Sequence, residues 1–318
     1  MNNPKILIIS GCLGFIGSYI TRECLEKGWY VRGIDKITYA SNPKLLDEFN
    51  KFENFTFEKI DIVDLKYLFD CDIFINTAAE SAVDSSISNS DLFLHSNIKG
   101  VHNLLELIRT KHHFKMPTLL HFSTDEVYGD IEEGFHTEKD LLKPSNPYSA
   151  TKAAADQLIL AWNRTYKVPY IIVRPTNNYG VGQYVEKLIP KVCKFLDLGR
   201  KIPLHENGTP KRTWLHAKDT AKAIIHLIEN GTLNEIYNIS GNYEEQNIEV
   251  VKKILKLYLN RDDFNIEDYV DFSVTRLGQD VRYAIDDSKL KNTGWEPVCD
   301  FEGELGEIID FYKCNFIW

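Results

Sequence analysis

Two groups of side chains in this sequence have the types and the spacing for chemistry. In TLLHFSTDEVYGD (118–130) an apolar run ends in Thr124, Asp125 and Glu126, with Tyr128 close behind. Two adjacent carboxyls in a closed pocket resist simultaneous ionisation, so one is held protonated and the pair divides into a general acid and a general base. In SNPYSATKAAADQL (145–158), Tyr148 and Lys152 stand four residues apart where a helix is expected to open after Pro147. That spacing sets phenol and ammonium on one helix face. A nearby cation favours the phenolate of a tyrosine whose ordinary pKa is about 10, moving it toward the range of a useful base.

A third stretch, SGCLGFIGS (10–18), binds rather than reacts. Gly11, Gly14 and Gly17 fall at a turn and at the opening of a helix that begins with Phe15 and Ile16. Glycines there permit a tight turn and let a pyrophosphate approach the free N–H groups of the helix start. The spacing is GxxGxxG, not GxGxxG. Asp35 lies 18 residues beyond Gly17 at the end of the next apolar run, where an acid meets the adenosine ribose hydroxyls and repels a 2′-phosphate. NAD is therefore expected over NADP, with Lys36 beside the acid weakening the charge argument. Asp61 and Ile62 are placed either to bracket an adenine or to form an ordinary strand-terminal turn.

The elements that must position these groups follow from periodicity. Short apolar runs at 5–10, 29–35, 55–62, 71–79, 118–124 and 170–177 alternate with helix-length amphipathic segments at 15–27, 90–113 and 148–166, the pattern of βαβ units around a parallel sheet. The expected fold class is α/β: a Rossmann-type doubly wound parallel sheet with a smaller, interleaved C-terminal substrate-binding domain. Residues 1–177 are read as the cofactor domain, which also takes back about 211–240 through the strand-like NEIYNIS (234–240). Residues 178–318 are read mainly as a ligand-binding cap rather than a second sheet domain, with helices near 185–198, 217–230 and 246–260.

Composition narrows the partners. The chain is 43% hydrophobic and 26% charged, ordinary for a soluble globular protein. A net charge of −9 works against nucleic acid and anionic membrane, so any anionic ligand must be captured locally. Six cysteines, at 12, 24, 71, 193, 299 and 314, show no CxxC spacing; no metal site or disulfide framework is expected. MNNPKILIIS has too short an apolar run for a signal segment, and no run approaches a membrane span. A cytoplasmic location is expected.

Taken together, GCLGFIG, AAES (78–81), STDEVYGD (123–130), PYSATK (147–152), NNYG (177–180), EKLIP (186–190), RTWLHAKD (212–219), YNISG (237–241) and RLGQDVRYAID (276–286) resemble the extended short-chain dehydrogenase/reductases. More narrowly they resemble the nucleotide-sugar 4,6-dehydratases of the dTDP-glucose and UDP-glucose type, over about residues 5–312. The specific part is STDEVYGD, since related epimerases share the Tyr/Lys pair but lack the adjacent Asp and Glu.

The resemblance implies a role for each group. Tyr148 and Lys152 oxidise the 4-hydroxyl with NAD, Thr124 orients it, Glu126 removes the C5 proton, and Asp125 as an acid assists loss of the 6-hydroxyl. Ala78 and Ala79 would join the cofactor contacts. Ser81, Asn178, Lys187, Arg212, Asn247 and Arg276 would hold the substrate, and Asn97 would support the catalytic helix. It also implies a homodimer built on the helices at 90–113 and 148–166. Departures are Ala82 and Ser85, where the dTDP-glucose enzymes read His and Arg in AAESHVDRSI, and Gln279 in place of His. Smaller side chains there would admit a bulkier C2 substituent, as in UDP-N-acetylglucosamine, or be compensated by neighbours; inversion at C5 is also open. The rival readings are a nucleotide-sugar 4-epimerase and a catalytically silent NAD-binding protein.

Overall fold

The structure is a computed structural model that describes residues 4–110 and 116–315. Twelve strands run in chain order among the described residues: β1 Ile6–Ser10, β2 Tyr30–Asp35, β3 Phe55–Lys59, β4 Ile73–Asn76, β5 Thr118–Phe122, β6 Tyr170–Pro175, β7 Asn177–Tyr179, β8 Ile202–Pro203, β9 Lys211–His216, β10 Glu235–Ile239, β11 Tyr243–Gln246 and β12 Val270–Asp271. Seven form one sheet in the order β10-β6-β5-β4-β1-β2-β3, every pair parallel. Such a sheet needs both faces covered, and the alternation in β1 shows how. Leu7 and Ile9 face a core shared with Ile20, Cys24 and Ile224 of the helices Phe15–Glu26 and Ala217–Asn230. Ile8 faces the opposite core, closed by Leu104, Ile108 and Ile159 of Gly100–Arg109 and Pro147–Tyr166.

The chain runs outward from β1 to β2 and β3, then returns to β4 on the other side. That reversal opens a crevice at the C-terminal strand ends, where ligands of doubly wound sheets bind. The expected strands prove shorter at this edge. The ladder stops at Lys59, Asn76 and Phe122, so residues 60–62, 77–79 and 123–124 project past it as crevice wall. At 61–63 the Asp61 carboxylate accepts the Val63 N–H at 3.0 Å, a side-chain turn that replaces strand pairing.

Three other expectations are corrected. The second half does contain sheets, β11-β9-β7 and β12-β8, packed with the helices Leu188–Asp197, Asn247–Leu259 and Phe301–Cys314 around a separate core. Within 211–240, β9 pairs with β7 and β11 in that smaller sheet, while Ala217–Asn230 and β10 return to the large one. The last helix escaped the sequence reading although Phe301, Leu305, Ile308, Ile309 and Tyr312 are buried at helical spacing and Asp300 caps Gly303 N–H. The helix expected at 90–113 is Asp91–Arg109 with a π turn at Leu94–Lys99; residues 111–113 lie outside the described residues. Among the described residues no helix is long and apolar enough to cross a membrane.

Candidate active site

Three cavities line up along the C-terminal edge of the large sheet. The first, about 100 Å³, is lined by Gly11, Gly14, Asp35, Lys36, Asp61, Ile62, Ala78 and Ala79. Gly11 has φ +72°, and a Cβ there would lie 2.9 Å from Ala78 N and Thr77 Oγ1. A Cβ at Gly17 would sit 2.1 Å from the Gly11 carbonyl oxygen. Only bare backbone lets the turn close down on the segment after β4. Gly14 opens the helix Phe15–Glu26 with no side-chain cap, which leaves backbone N–H groups for an anion. The cradle therefore fits a dinucleotide pyrophosphate. The buried Asp35 carboxylate is held in place by Leu13 N–H (3.1 Å), Ile37 N–H (2.7 Å) and Ser41 O–H (2.9 Å). Lys36 lies 3.5 Å from both Asp61 and Glu80, so its charge is already offset.

The second cavity, about 260 Å³, shares the glycine turn with the first and adds Phe15, Ile16, Thr124, Asp125, Glu126, Tyr148 and Lys152. The acids reach it because β5 ends in a single turn, Asp125–Tyr128, capped by Thr124, whose Oγ1 accepts Glu126 N–H at 3.3 Å. The Thr124 hydroxyl also donates to Asp125 Oδ1 at 3.1 Å. Asp125 Oδ2 is buried without a partner. Burial, reinforced by the charge of Glu126, pushes the Asp125 carboxyl up to about 7. Burial raises Glu126 as well, opposed by Arg212 and Lys187. Two adjacent buried carboxyls, one raised to about 7 and the other opposed in its rise by two cations, are arranged so that they could share acid and base work.

Pro147 and a capping box at Asn146 start the helix that carries Tyr148 and Lys152. Its phenol engages the Thr124 side chain, but the lysine does not act as the spacing suggests. Lys152 Nζ donates to the Phe122 carbonyl, and burial lowers its pKa to about 8. Burial and then the charges of Glu126 and Asp125 push Tyr148 above its ordinary value. The expected lysine-driven acidification of the phenol is thus not met, because two carboxyls crowd the hydroxyl while the ammonium is directed at backbone. Asn97, on the π turn, accepts Glu80 N–H (2.9 Å) and donates to Glu80 C=O (3.0 Å) and Thr151 Oγ1 (2.9 Å). It ties the AAES segment to the helix of Tyr148. Tyr128 stands outside the cleft, its hydroxyl buried between Arg174 and Asn238.

The third cavity, about 250 Å³, meets the second at Ser81, Glu126, Asn178 and Lys187 and is lined further by Ser85, Arg212, Asn247, Arg276 and Gln279. Its cations are placed by the protein itself. Lys187 Nζ donates to Ser81 C=O at 2.9 Å. Arg212 donates to Lys211 C=O (2.7 Å) and Asp280 C=O (3.1 Å) and lies 4.4 Å over the Tyr283 ring. Arg276 grips Asp84 with two nitrogens, at 2.6 and 3.0 Å. Asn178 donates to Thr176 C=O at 3.0 Å and accepts from Thr220. Ala82 and Ser85 are both on the wall, Ala82 also packing with Phe93 and Tyr148. Sequence reading missed Tyr283, Asn146 and Lys191, which also line this cavity; no local spacing marks them.

The chain is similar to known proteins along nearly its whole length. The dTDP-glucose 4,6-dehydratase of Haemophilus influenzae is 39% identical, covering 97% of this chain and 98% of its own length. Among solved structures, the dTDP-glucose 4,6-dehydratase of Bacillus anthracis in complex with NAD superposes with a TM-score of 0.87 at 36% identity, covering 98% of this chain and 97% of that one. DesIV, the dTDP-glucose 4,6-dehydratase of Streptomyces venezuelae with NAD and TYD bound, gives 0.90 at 34%, covering 97% of each. The family described as GDP-mannose 4,6 dehydratase matches residues 8–308. The chain belongs to that family, among the nucleotide-sugar 4,6-dehydratases of the extended short-chain dehydrogenase/reductases.

Proposed function

We propose that the protein is an NAD-dependent nucleotide-sugar 4,6-dehydratase that converts an NDP-hexose of the gluco type into its 4-keto-6-deoxy product. One observation carries the reading: Asp125 and Glu126 open into the same cavity as Tyr148 and Lys152, at the junction of a glycine-turn cradle and a cation-lined cleft. The glycine turn, Asp35, Asp61, Ile62, Ala78 and Ala79 would hold NAD, which when bound would supply an acceptor for the C4 hydride and its donor to C6, so that the reaction would consume no net reductant. The offset charge of Lys36 supports NAD over NADP.

The chain's own residues move the protons. Tyr148 takes the proton of the 4-hydroxyl, and Thr124, bonded to the phenol, orients that hydroxyl. Lys152 lines the same cavity, its ammonium donating to the Phe122 carbonyl. Glu126, whose burial-raised carboxyl is opposed by the charges of Arg212 and Lys187, removes the C5 proton made acidic by the 4-ketone and gives a proton back to C5 as hydride reaches C6. Asp125 gives its proton to the departing 6-hydroxyl, which leaves as water. Ser81, Asn178, Lys187, Arg212, Asn247 and Arg276 hold the nucleoside diphosphate.

For the hexose, Ser85 on the cavity wall and Ala82 against Tyr148 support tolerance of a C2 acetamido group, as in UDP-N-acetylglucosamine, beside UDP- or dTDP-glucose. Incubation with each of the three, followed by NMR of the products, tests both levels. Unchanged C6 hydroxyls throughout would end the dehydratase reading; turnover of dTDP-glucose alone would end the enlarged-pocket reading, and the C5 coupling constants report any inversion. We also infer a homodimer through the helices Asp91–Arg109 and Pro147–Tyr166, supported by the exposed Leu92 and Leu94 at the start of the first; light scattering at a monomer mass would refute it.

A further inference from the structure

Every arginine and lysine lining the third cavity has a protein partner except one. Lys187 holds a carbonyl, Arg212 two carbonyls and an aromatic face, and Arg276 a carboxylate. Lys191 lies on the same wall, one helical turn beyond Lys187, in the helix Leu188–Asp197. It is half-buried, yet among the described residues its ammonium has neither a hydrogen bond nor an ion pair. Beside it, His205 also lines the cavity, and its Nδ1 is buried without a partner. A partly desolvated ammonium with three unused donors, near carboxylates but bonded to none among the described residues, is unfavourable until an anion arrives. The nearby carboxylate, Asp84, is already engaged by Nε and Nη2 of Arg276.

We propose that Lys191 is a substrate-binding residue, contacting the diphosphate of the nucleotide sugar in the cavity that it shares with Glu126, with Lys187 as its neighbour. This rests on the dehydratase reading of the cleft. Burial lowers the Lys191 pKa, and the charges of Arg276 and Lys187 act in the same direction, against those of Asp84 and Glu186; a bound diphosphate would reverse that balance. A lysine that served only to balance Asp84 at a distance would affect folding and not ligand affinity.

The test is isothermal titration of the NAD-loaded protein with uridine diphosphate and thymidine diphosphate, comparing the unaltered chain with Lys191→Met and Lys191→Arg. Loss of one charge-assisted contact should weaken the better-bound diphosphate about tenfold in the Met variant, with Arg restoring most of it. In turnover, KM should rise with kcat nearly unchanged, and the melting temperature should hold. Diphosphate affinity unchanged in Lys191→Met, or a fall in kcat at constant KM, would overturn the proposal while leaving the dehydratase reading intact. Failure of the unaltered protein to bind either diphosphate would overturn both.

Discussion

Asp125 and Asp156 are both buried and both lie against β5, one just past its tip and one on the helix behind it. Asp156 receives Arg174 Nε at 3.0 Å, a second guanidinium nitrogen at 2.9 Å and the Ser123 hydroxyl at 3.0 Å. Asp125 receives one hydroxyl, from Thr124, and the charge of Arg212 without an ion pair among the described residues. Burial raises both, but Arg174 opposes it at Asp156, whereas the Glu126 charge adds to it at Asp125. The same residue type at similar burial is thus held by a guanidinium in one place and left to a hydroxyl and a second carboxyl in the other. Removing a partner from the first leaves an uncompensated charge; neutralising the second removes a cost.

The comparison can be broken most directly at the acid. Asp125→Asn should lower turnover about a hundred- to ten-thousandfold, while nicotinamide absorbance still shows hydride uptake from the substrate; full turnover would show that Asp125 is not the acid. Arg174→Met should cost about 3–5 kcal/mol of stability in urea unfolding, against little for a surface arginine. Tyr128→Phe removes a hydroxyl that accepts from Arg174 at 2.7 Å and donates to Asn238 at 2.8 Å. It should cost about 1–3 kcal/mol and spare kcat, which sharpens the boundary between frame and chemistry. The smallest effect is a gain. A carboxyl whose folded pKa is raised loses stability as pH climbs from its ordinary value near 4 through about 7. The melting temperature of Asp125→Asn should therefore exceed that of the unaltered protein more at pH 8 than at pH 5, by roughly 2–4 °C; an equal difference at both pH values would place the Asp125 titration elsewhere.

The π turn at Leu94–Lys99 shows how a local irregularity serves the site. It brings Asn97 to face both Glu80 and Thr151, so the wall of the cofactor cavity and the helix of Tyr148 move as one piece. Changing Asn97 to Ala would leave the buried Glu80 amide and carbonyl unpaired.

Much of this was legible along the chain because it depends on neighbours. Glycines at 11, 14 and 17 after an apolar run define a turn and a helix start, a period of two followed by a period near 3.6 defines βαβ units, and residues four apart on a helix share a face. The acids at the tip of β5 follow from the same logic, since a parallel strand must deliver its last residues to the crevice. Contacts between distant segments were not legible. That Lys152 addresses the Phe122 carbonyl, that β9 joins a small sheet, that Arg276 is held by Asp84 across 192 positions, and that Lys191 is left without a partner all depend on which surfaces meet. Only the folded chain decides them, because desolvation and pairing, which set charge and proton affinity, are properties of the packed neighbourhood and not of spacing.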